Sequence, residues 1–173
     1  MKDELYLELE DEEWPYTYID HDRRTVRALV MDEDGKFLFV GANRDDEFGV
    51  SVLIETAGGG MEPGEDEVTA LHRELREELG AEVEVIAKIG VVKDCYNLIH
   101  RRTITNYYLC KALSFGSRHL TQDEIDKFHL TTTRTTLEDA ESEYERLRCS
   151  PLGRLIANRE LPVIKYAKEN LLK

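Results

Sequence analysis

Leu5, Leu7 and Leu9 alternate with Tyr6, Glu8 and Glu10, the period-two pattern of a strand with one covered face. Trp14, Pro15, Tyr16 and Tyr18 follow, and Lys2 is the only Lys or Arg in residues 1–22. This acidic segment therefore reads as an edge strand or arm laid on the domain, or as a homodimer contact, since aromatic residues favour interfaces. Val26, Ala28 and Val30 alternate next. Asp32, Glu33, Asp34 and Gly35 supply turn chemistry, and residues 37–40 form an apolar return, so a hairpin is expected. Residues 41–49 read as a loop and residues 50–54 as a further strand. The three glycines 58–60 and the pair Pro63-Gly64 break the pattern.

The period then changes. Val68, Leu71, Leu75 and Leu79 recur at helical spacing, starting after Glu65-Asp66 and stopping at Gly80, which suits a helix C-terminus. Val83, Val85 and residues 89–92 return to strand character, as do residues 103–109. Residues 114–126 form a polar loop with a helical turn around Asp123, Glu124 and Ile125. Residues 128–136 read as a strand because threonine favours strands, and residues 137–147 as a helix. Pro151 and Pro162 are expected to separate two more short helices. Strands alternating with helices, together with a hairpin, predict an α/β fold with a mixed sheet and helices on its faces. With no repeat and no linker in 173 residues, one domain over residues 1–173 is expected.

Charge narrows the partners. Asp+Glu outnumber Lys+Arg by 36 to 23, for a net charge of -13, which suits neither a nucleic-acid backbone nor an anionic membrane. A small phosphorylated ligand remains compatible, because a divalent cation reverses the local sign. Cys95, Cys110 and Cys149 form no disulfide framework and read as reduced thiols. The start Met1-Lys2-Asp3-Glu4-Leu5 lacks the basic and apolar run of a signal peptide, and no apolar stretch reaches the length of a membrane span. A cytoplasmic protein is expected.

One stretch carries the chemistry. It reads Gly59, five residues, Glu65, seven residues, Arg73-Glu74-Leu75, one residue, Glu77-Glu78, one residue, Gly80-Ala81. On a helix, Glu74, Glu77 and Glu78 share one face, where like charges repel. A hard divalent cation would cancel that repulsion, and carboxylates suit Mg²⁺ or Mn²⁺. Arg73 is expected on a different helical face from Glu77, holding Glu65 bidentately and fixing the loop to the helix. The glycines let the backbone approach the metal, with the Gly58 carbonyl as a possible ligand.

This pattern resembles the Nudix box of the Nudix hydrolase family, departing only where Ala81 stands for a bulkier aliphatic residue. The resemblance implies a Nudix-type α/β/α sandwich with a mixed β-sheet. It implies Mg²⁺- or Mn²⁺-dependent cleavage of a phosphoanhydride in a nucleoside diphosphate linked to another moiety. Glu74, Glu77 and Glu78 would bind the metal, with Glu74 also orienting or deprotonating water and Arg73 supporting it. Family members often add a carboxylate from a downstream loop. Glu124 is the favoured candidate among Asp123, Glu124 and Asp126, against a solvated loop or a capping box beginning at Thr121. Arg101 and Arg102, beside His100, could contact substrate phosphate, as could Arg44. Tyr96 follows the box at roughly the interval at which dinucleoside-polyphosphate hydrolases carry a tyrosine. One of Tyr107 and Tyr108 could stack on a base, while the histidines show no metal spacing. The proline typical of ADP-ribose pyrophosphatases is missing, and so are the extra motifs of coenzyme A and NADH pyrophosphatases. Two other readings share the fold: a nucleotide sensor without turnover, and an isoprenoid-diphosphate isomerase using Cys95 or Cys110.

Overall fold

The computed structural model describes residues 3–120, 122–126 and 130–173. Their elements run β1 (Leu5–Leu9), β2 (His21–Met31), β3 (Phe37–Asp46), β4 (Gly49–Gly60), α1 (Glu67–Leu79), β5 (Ala81–Tyr96), a 3-10 turn (Asn97–Ile99), β6 (Arg101–Phe115), α2 (Gln122–Asp126), β7 (Thr131–Thr135), α3 (Leu137–Leu147) and α4 (Pro151–Asn170). The strands form one mixed sheet in the order β1-β5-β6-β2-β4-β3-β7. β1 pairs with β5, and β2 with β6, in parallel; the other ladders are antiparallel.

Alternation along the central strands builds two cores. Val26, Ala28 and Val30 of β2 pack with Ala70, Leu71 and Leu75 of α1 on one face. Leu29 and Phe39 pack with Tyr144 of α3 and Ile156 and Ile164 of α4 on the other. The result is the expected helix-sheet-helix layering. The acidic prelude contributes β1, with Leu5 beside Gly90 in register. Trp14 lies 5.3 Å from Phe48 and Tyr18 stacks 4.0 Å from His100, so aromatic rings of this segment pack within the chain.

Three expectations change. The segment 41–49 is not a loop: β3 continues to Asp46 and turns directly into β4. The long hairpin is therefore β3–β4, while β2 and β3 share only the pairs Val30↔Leu38 and Met31↔Phe37. The glycines 58–60 do not break the chain either. They continue β4 beside residues 25–27 of β2, with no room for a side chain at Gly58, which meets backbone, or at Gly59, which meets Glu74. A Cβ on Gly58, at φ +147°, would sit 2.0 Å from the Val26 carbonyl oxygen. Finally, α4 is one helix running through Pro162. Burial of Val163, Ile164 and Ala167 on the core side outweighs the hydrogen bond that proline cannot make. The expected strand at 128–136 is β7, Thr131–Thr135; Phe128 and His129 lie outside the described residues.

Candidate active site

Helix α1 is fixed at both ends. Asp66 caps it by accepting from the Thr69 N–H at 2.8 Å, and Gly80 closes it in the left-handed conformation at φ +65°. Its buried face carries Ala70, Leu71, Leu75 and Leu79, but also Glu74 and Glu78. Two carboxylates one turn apart are thus held against an apolar core.

Arg73 ties the preceding loop to this helix. Its Nε and Nη2 donate to the two Glu65 oxygens at 2.8 Å each, and Nη2 also donates to the Gly60 carbonyl at 2.9 Å. That bidentate hydrogen bonding holds Glu65 at about 2, well below an ordinary glutamate. Nη1 donates to Glu74 Oε1 at 2.9 Å and reaches both Glu77 oxygens at 3.4 Å. The expectation that Arg73 and Glu77 occupy different faces is therefore wrong: at i and i+4 they share one.

Glu78 Oε2 accepts from the Gly58 N–H at 3.2 Å. Glu78 is only 8% exposed, and burial pushes its carboxyl up to about 8 despite Arg27 and Gly58. Burial also raises Glu74, against the pull of Arg73. Gly59 lies against Glu74, where an added Cβ would come within 2.6 Å of Oε2.

These groups line a cleft of about 360 Å³. The lining brings Glu74, Glu77, Glu78 and Glu124 together with Arg23, Arg27 and Arg44. Arg27 pairs with Glu55 at 3.0 Å and donates to the Thr56 carbonyl at 2.6 Å. Burial would raise Glu55, but Arg27 and Arg159 outweigh it and hold the carboxyl at about 2. Among the described residues no three His, Cys, Asp or Glu side chains are arranged as a ready-made metal cage. The Arg73 Nη1 sits between Glu74 and Glu77 instead. Those carboxylates already accept one cation, and hard oxygen donors of this kind fit Mg²⁺ or Mn²⁺.

The sequence candidates separate. Gly58, Glu74, Glu77, Glu78, Glu124 and Arg44 meet in the cleft. Arg101 and Tyr96 line an adjoining hollow, but Tyr96 is 4% exposed and its hydroxyl is engaged by Asp94 at 2.8 Å and Arg159 at 2.9 Å, so it is a packing residue. Arg102 is a correction. It points away from Arg101, as neighbours on a strand must, and its Nη2 lies 2.7 Å from exposed Asp22. The side chains of Asp123 and Asp126, and Thr121 altogether, lie outside the described residues. Tyr107 donates to buried Glu160 at 2.7 Å and Tyr108 to Glu67 at 2.7 Å, so neither ring is placed for a base. Sequence reasoning missed Arg23, Arg27, Glu55 and Arg159. The signal for the first two was present: Arg23, Thr25 and Arg27 alternate with the apolar residues of β2, placing arginines on an inner sheet face.

The chain matches the NUDIX domain model over residues 21–152, a span that includes β2 through α3 and the whole cleft. The chain belongs to the NUDIX domain family. Within this family it is 47% identical over 60 residues to the CTP pyrophosphohydrolase of Escherichia coli strain K12, covering 35% of this chain and 43% of that protein. It is 61% identical over 67 residues to the nucleoside triphosphatase NudI of Enterobacter sp. strain 638, covering 38% and 45%. The chain thus spans less than half the length of the curated relatives it matches. Among solved structures, the MutT protein from Methanosarcina mazei Go1 aligns with a TM-score of 0.62 at 16% identity, over 87% of this chain and 96% of that one. A NUDIX hydrolase from Nitrosomonas europaea aligns at 0.58 and 20% identity, over 70% and 76%. These likenesses show that the NUDIX fold is shared. No helix among the described residues is long and apolar enough to cross a membrane.

Proposed function

We propose that this chain is a hydrolase dependent on Mg²⁺ or Mn²⁺ that cleaves a phosphoanhydride in a nucleoside diphosphate linked to another moiety, nucleoside triphosphates included. The observation that carries the reading is the pair Glu74 and Glu78, buried one helical turn apart in a cleft that also holds Arg23, Arg27 and Arg44. A buried carboxylate without a full complement of donors is costly, and a bound cation removes that cost. The names of the two curated relatives, a pyrophosphohydrolase and a nucleoside triphosphatase, point the same way.

Glu74, Glu77 and Glu78, with the Gly58 carbonyl, would hold the metal. Bound there, the ion would neutralise phosphate charge and lower the pKa of water. The chain's own residues would do the rest. Arg23, Arg27 and Arg44 would bind phosphoryl oxygens and stabilise the charge that grows on them. Glu74, made more basic by burial, is suited to accept a proton from attacking water, with Glu124 in the same cleft as the second candidate base. Arg73 would keep the glycine segment and helix in register. A reducing, cytoplasmic setting fits the three free thiols. Neither Cys95 nor Cys110 lines the cleft, which disfavours the isomerase reading.

The test is a screen of nucleoside triphosphates, nucleotide sugars, ADP-ribose and dinucleoside polyphosphates with Mg²⁺ or Mn²⁺. Release of a nucleotide, together with phosphate or pyrophosphate from a triphosphate or a sugar phosphate from a nucleotide sugar or ADP-ribose, supports the proposal. Glu77→Gln and Glu78→Gln should each lower kcat by roughly 10²-fold or more with circular dichroism unchanged. Full turnover in either variant sinks the metal assignment, and tight nucleotide binding without turnover would favour a sensor.

A further inference from the structure

Beside the carboxylate cleft lies a second hollow of about 260 Å³, reached past Arg23, Arg27, Arg44 and Glu55, which line both. Its lining holds five arginines and two glutamates, in a chain of net charge -13. Glu55 is already paired with Arg27 and Arg159 at 3.0 Å each, and Glu47 is exposed. Arg23 and Arg101 make no ion pair with a carboxylate among the described residues.

Adjacent strands put these groups together. The parallel β2–β6 ladder sets Arg23 beside Thr103 and His21 beside Arg101, so the side chains of Arg23, Arg101 and Thr103 emerge on one face. Several donor atoms there are left without a partner. Thr103 is 4% exposed and its Oγ1 has no partner; Arg159 is equally buried, with Nε unpartnered; Arg101 Nε is unpartnered too. Buried polar atoms of this kind are normally satisfied, and here every group left over except the threonine hydroxyl can only donate. The aromatic floor is not open for stacking a base. The Arg101 guanidinium lies 5.5 Å from the Tyr96 ring centre and that of Arg44 lies 6.0 Å from Phe48.

A cationic hollow whose unpartnered groups can all donate selects an oxyanion. We propose that it is a phosphate subsite, with Arg23, Arg101 and Thr103 as donors and Arg159 beneath them, holding a substrate phosphate that the carboxylate cleft does not. Anion binding follows from this hollow alone. The consequence for substrate rests on the proposed hydrolase reading: a chain of at least three phosphates is favoured over a diphosphate capped by a neutral sugar.

The first experiment uses the full chain in excess chelator, with inorganic phosphate as the probe, followed by calorimetry and ³¹P NMR. Arg101→Gln should weaken phosphate binding by roughly tenfold or more, the scale of a hydrogen bond to a charged group. Thr103→Val keeps the shape, deletes a hydroxyl that bonds nothing, and so should fold normally while weakening phosphate by about threefold or more. Arg102→Gln, on the opposite face, should bind like wild type. Binding that is absent in wild type, or that survives both Arg101→Gln and Thr103→Val, overturns the subsite whether or not the chain is a hydrolase.

The second arm asks whose phosphate it is. If the substrate supplies it, Arg101→Gln raises KM for a nucleoside triphosphate by about tenfold and leaves that for a nucleotide sugar unchanged, and free phosphate competes. If free phosphate instead lowers kcat at constant KM, it acts as a separate effector and the substrate assignment fails. If no substrate turns over, the hydrolase reading fails while the phosphate titration still decides the subsite.

Discussion

Glu78 has two ways to relieve its burial: keep a proton or take a cation. Its raised pKa, about 8 in the metal-free chain, fixes a sign for the pH dependence. Between the ordinary glutamate value and about 8, the folded state binds the proton and the unfolded state does not. Stability therefore falls as pH rises through that window. Glu55 acts oppositely: held at about 2 by Arg27 and Arg159, it contributes stability above the ordinary glutamate value and loses it only as pH falls towards 2. Chemical denaturation in chelator should show the metal-free chain losing stability from pH 5 to pH 8. Glu78→Gln should remove most of that decline and raise stability at pH 8. Added Mg²⁺ should reverse it, bind more tightly as pH rises towards 8, and release protons on binding. A variant that follows the same pH curve as wild type would show that Glu78 is not the group responsible.

At the scale of the element, the segment 58–60 and helix α1 behave as one unit. Arg73 joins them through Glu65 and the Gly60 carbonyl, and the close packing of Gly59 on Glu74 leaves no room for a methyl group. Gly59→Ala should displace the Glu74 carboxylate and lower kcat by roughly tenfold or more, while costing little stability because the contact is the end of a side chain. Gly58→Ala meets backbone at 2.0 Å and at a positive φ, and should cost about 2 kcal/mol or more in denaturation. Equal effects of the two variants on stability would contradict this division. Helix α1 was legible in the sequence, since its apolar period, its Asp66 start and its Gly80 stop agree. The end of β3 was not. Gly41, Asn43, Asp45 and Asp46 read as loop, and only pairing with β4 makes them strand. The glycines of β4 misled for the opposite reason: a residue type that usually ends a strand is required here by close contact, with backbone at Gly58 and with the Glu74 carboxylate at Gly59. Pro162 likewise suggested a break that packing of the flanking residues overrides.

Across the whole molecule, the site depends on charges that local patterns reveal only in part. The acidic side was readable because its ligand candidates lie within one helical turn. The cationic side was legible only in part: Arg44 and Arg101 stood out as phosphate contacts, but Arg23, Arg27, Arg44, Arg101 and Arg159 come from three strands and a helix that only the fold gathers. Glu160 is the clearest case. On a helix written in sequence it looks like one more surface acid, yet it is fully buried. It accepts from the Thr56 N–H at 3.0 Å, from the Tyr107 hydroxyl at 2.7 Å and from the Thr56 hydroxyl at 2.9 Å, and it lies 3.4 Å from Arg159. It therefore fastens α4 to β4 and β6 directly beneath the arginine hollow. Removing one member of such a network leaves the others buried and unpaired, which is far worse than never having built it. Glu160→Leu leaves the Thr56 N–H and the Tyr107 hydroxyl buried without an acceptor and should cost about 2–5 kcal/mol in denaturation, at roughly 1–3 kcal/mol for each unsatisfied group. Glu160→Gln keeps acceptors for Thr56 and should cost less. Because Arg159 still pairs with Glu55, phosphate affinity should fall less in Glu160→Gln than in Arg101→Gln. The reverse order would place the anion on Arg159 and Glu160's end of the hollow, and would shift the donor assignment from the sheet to α4.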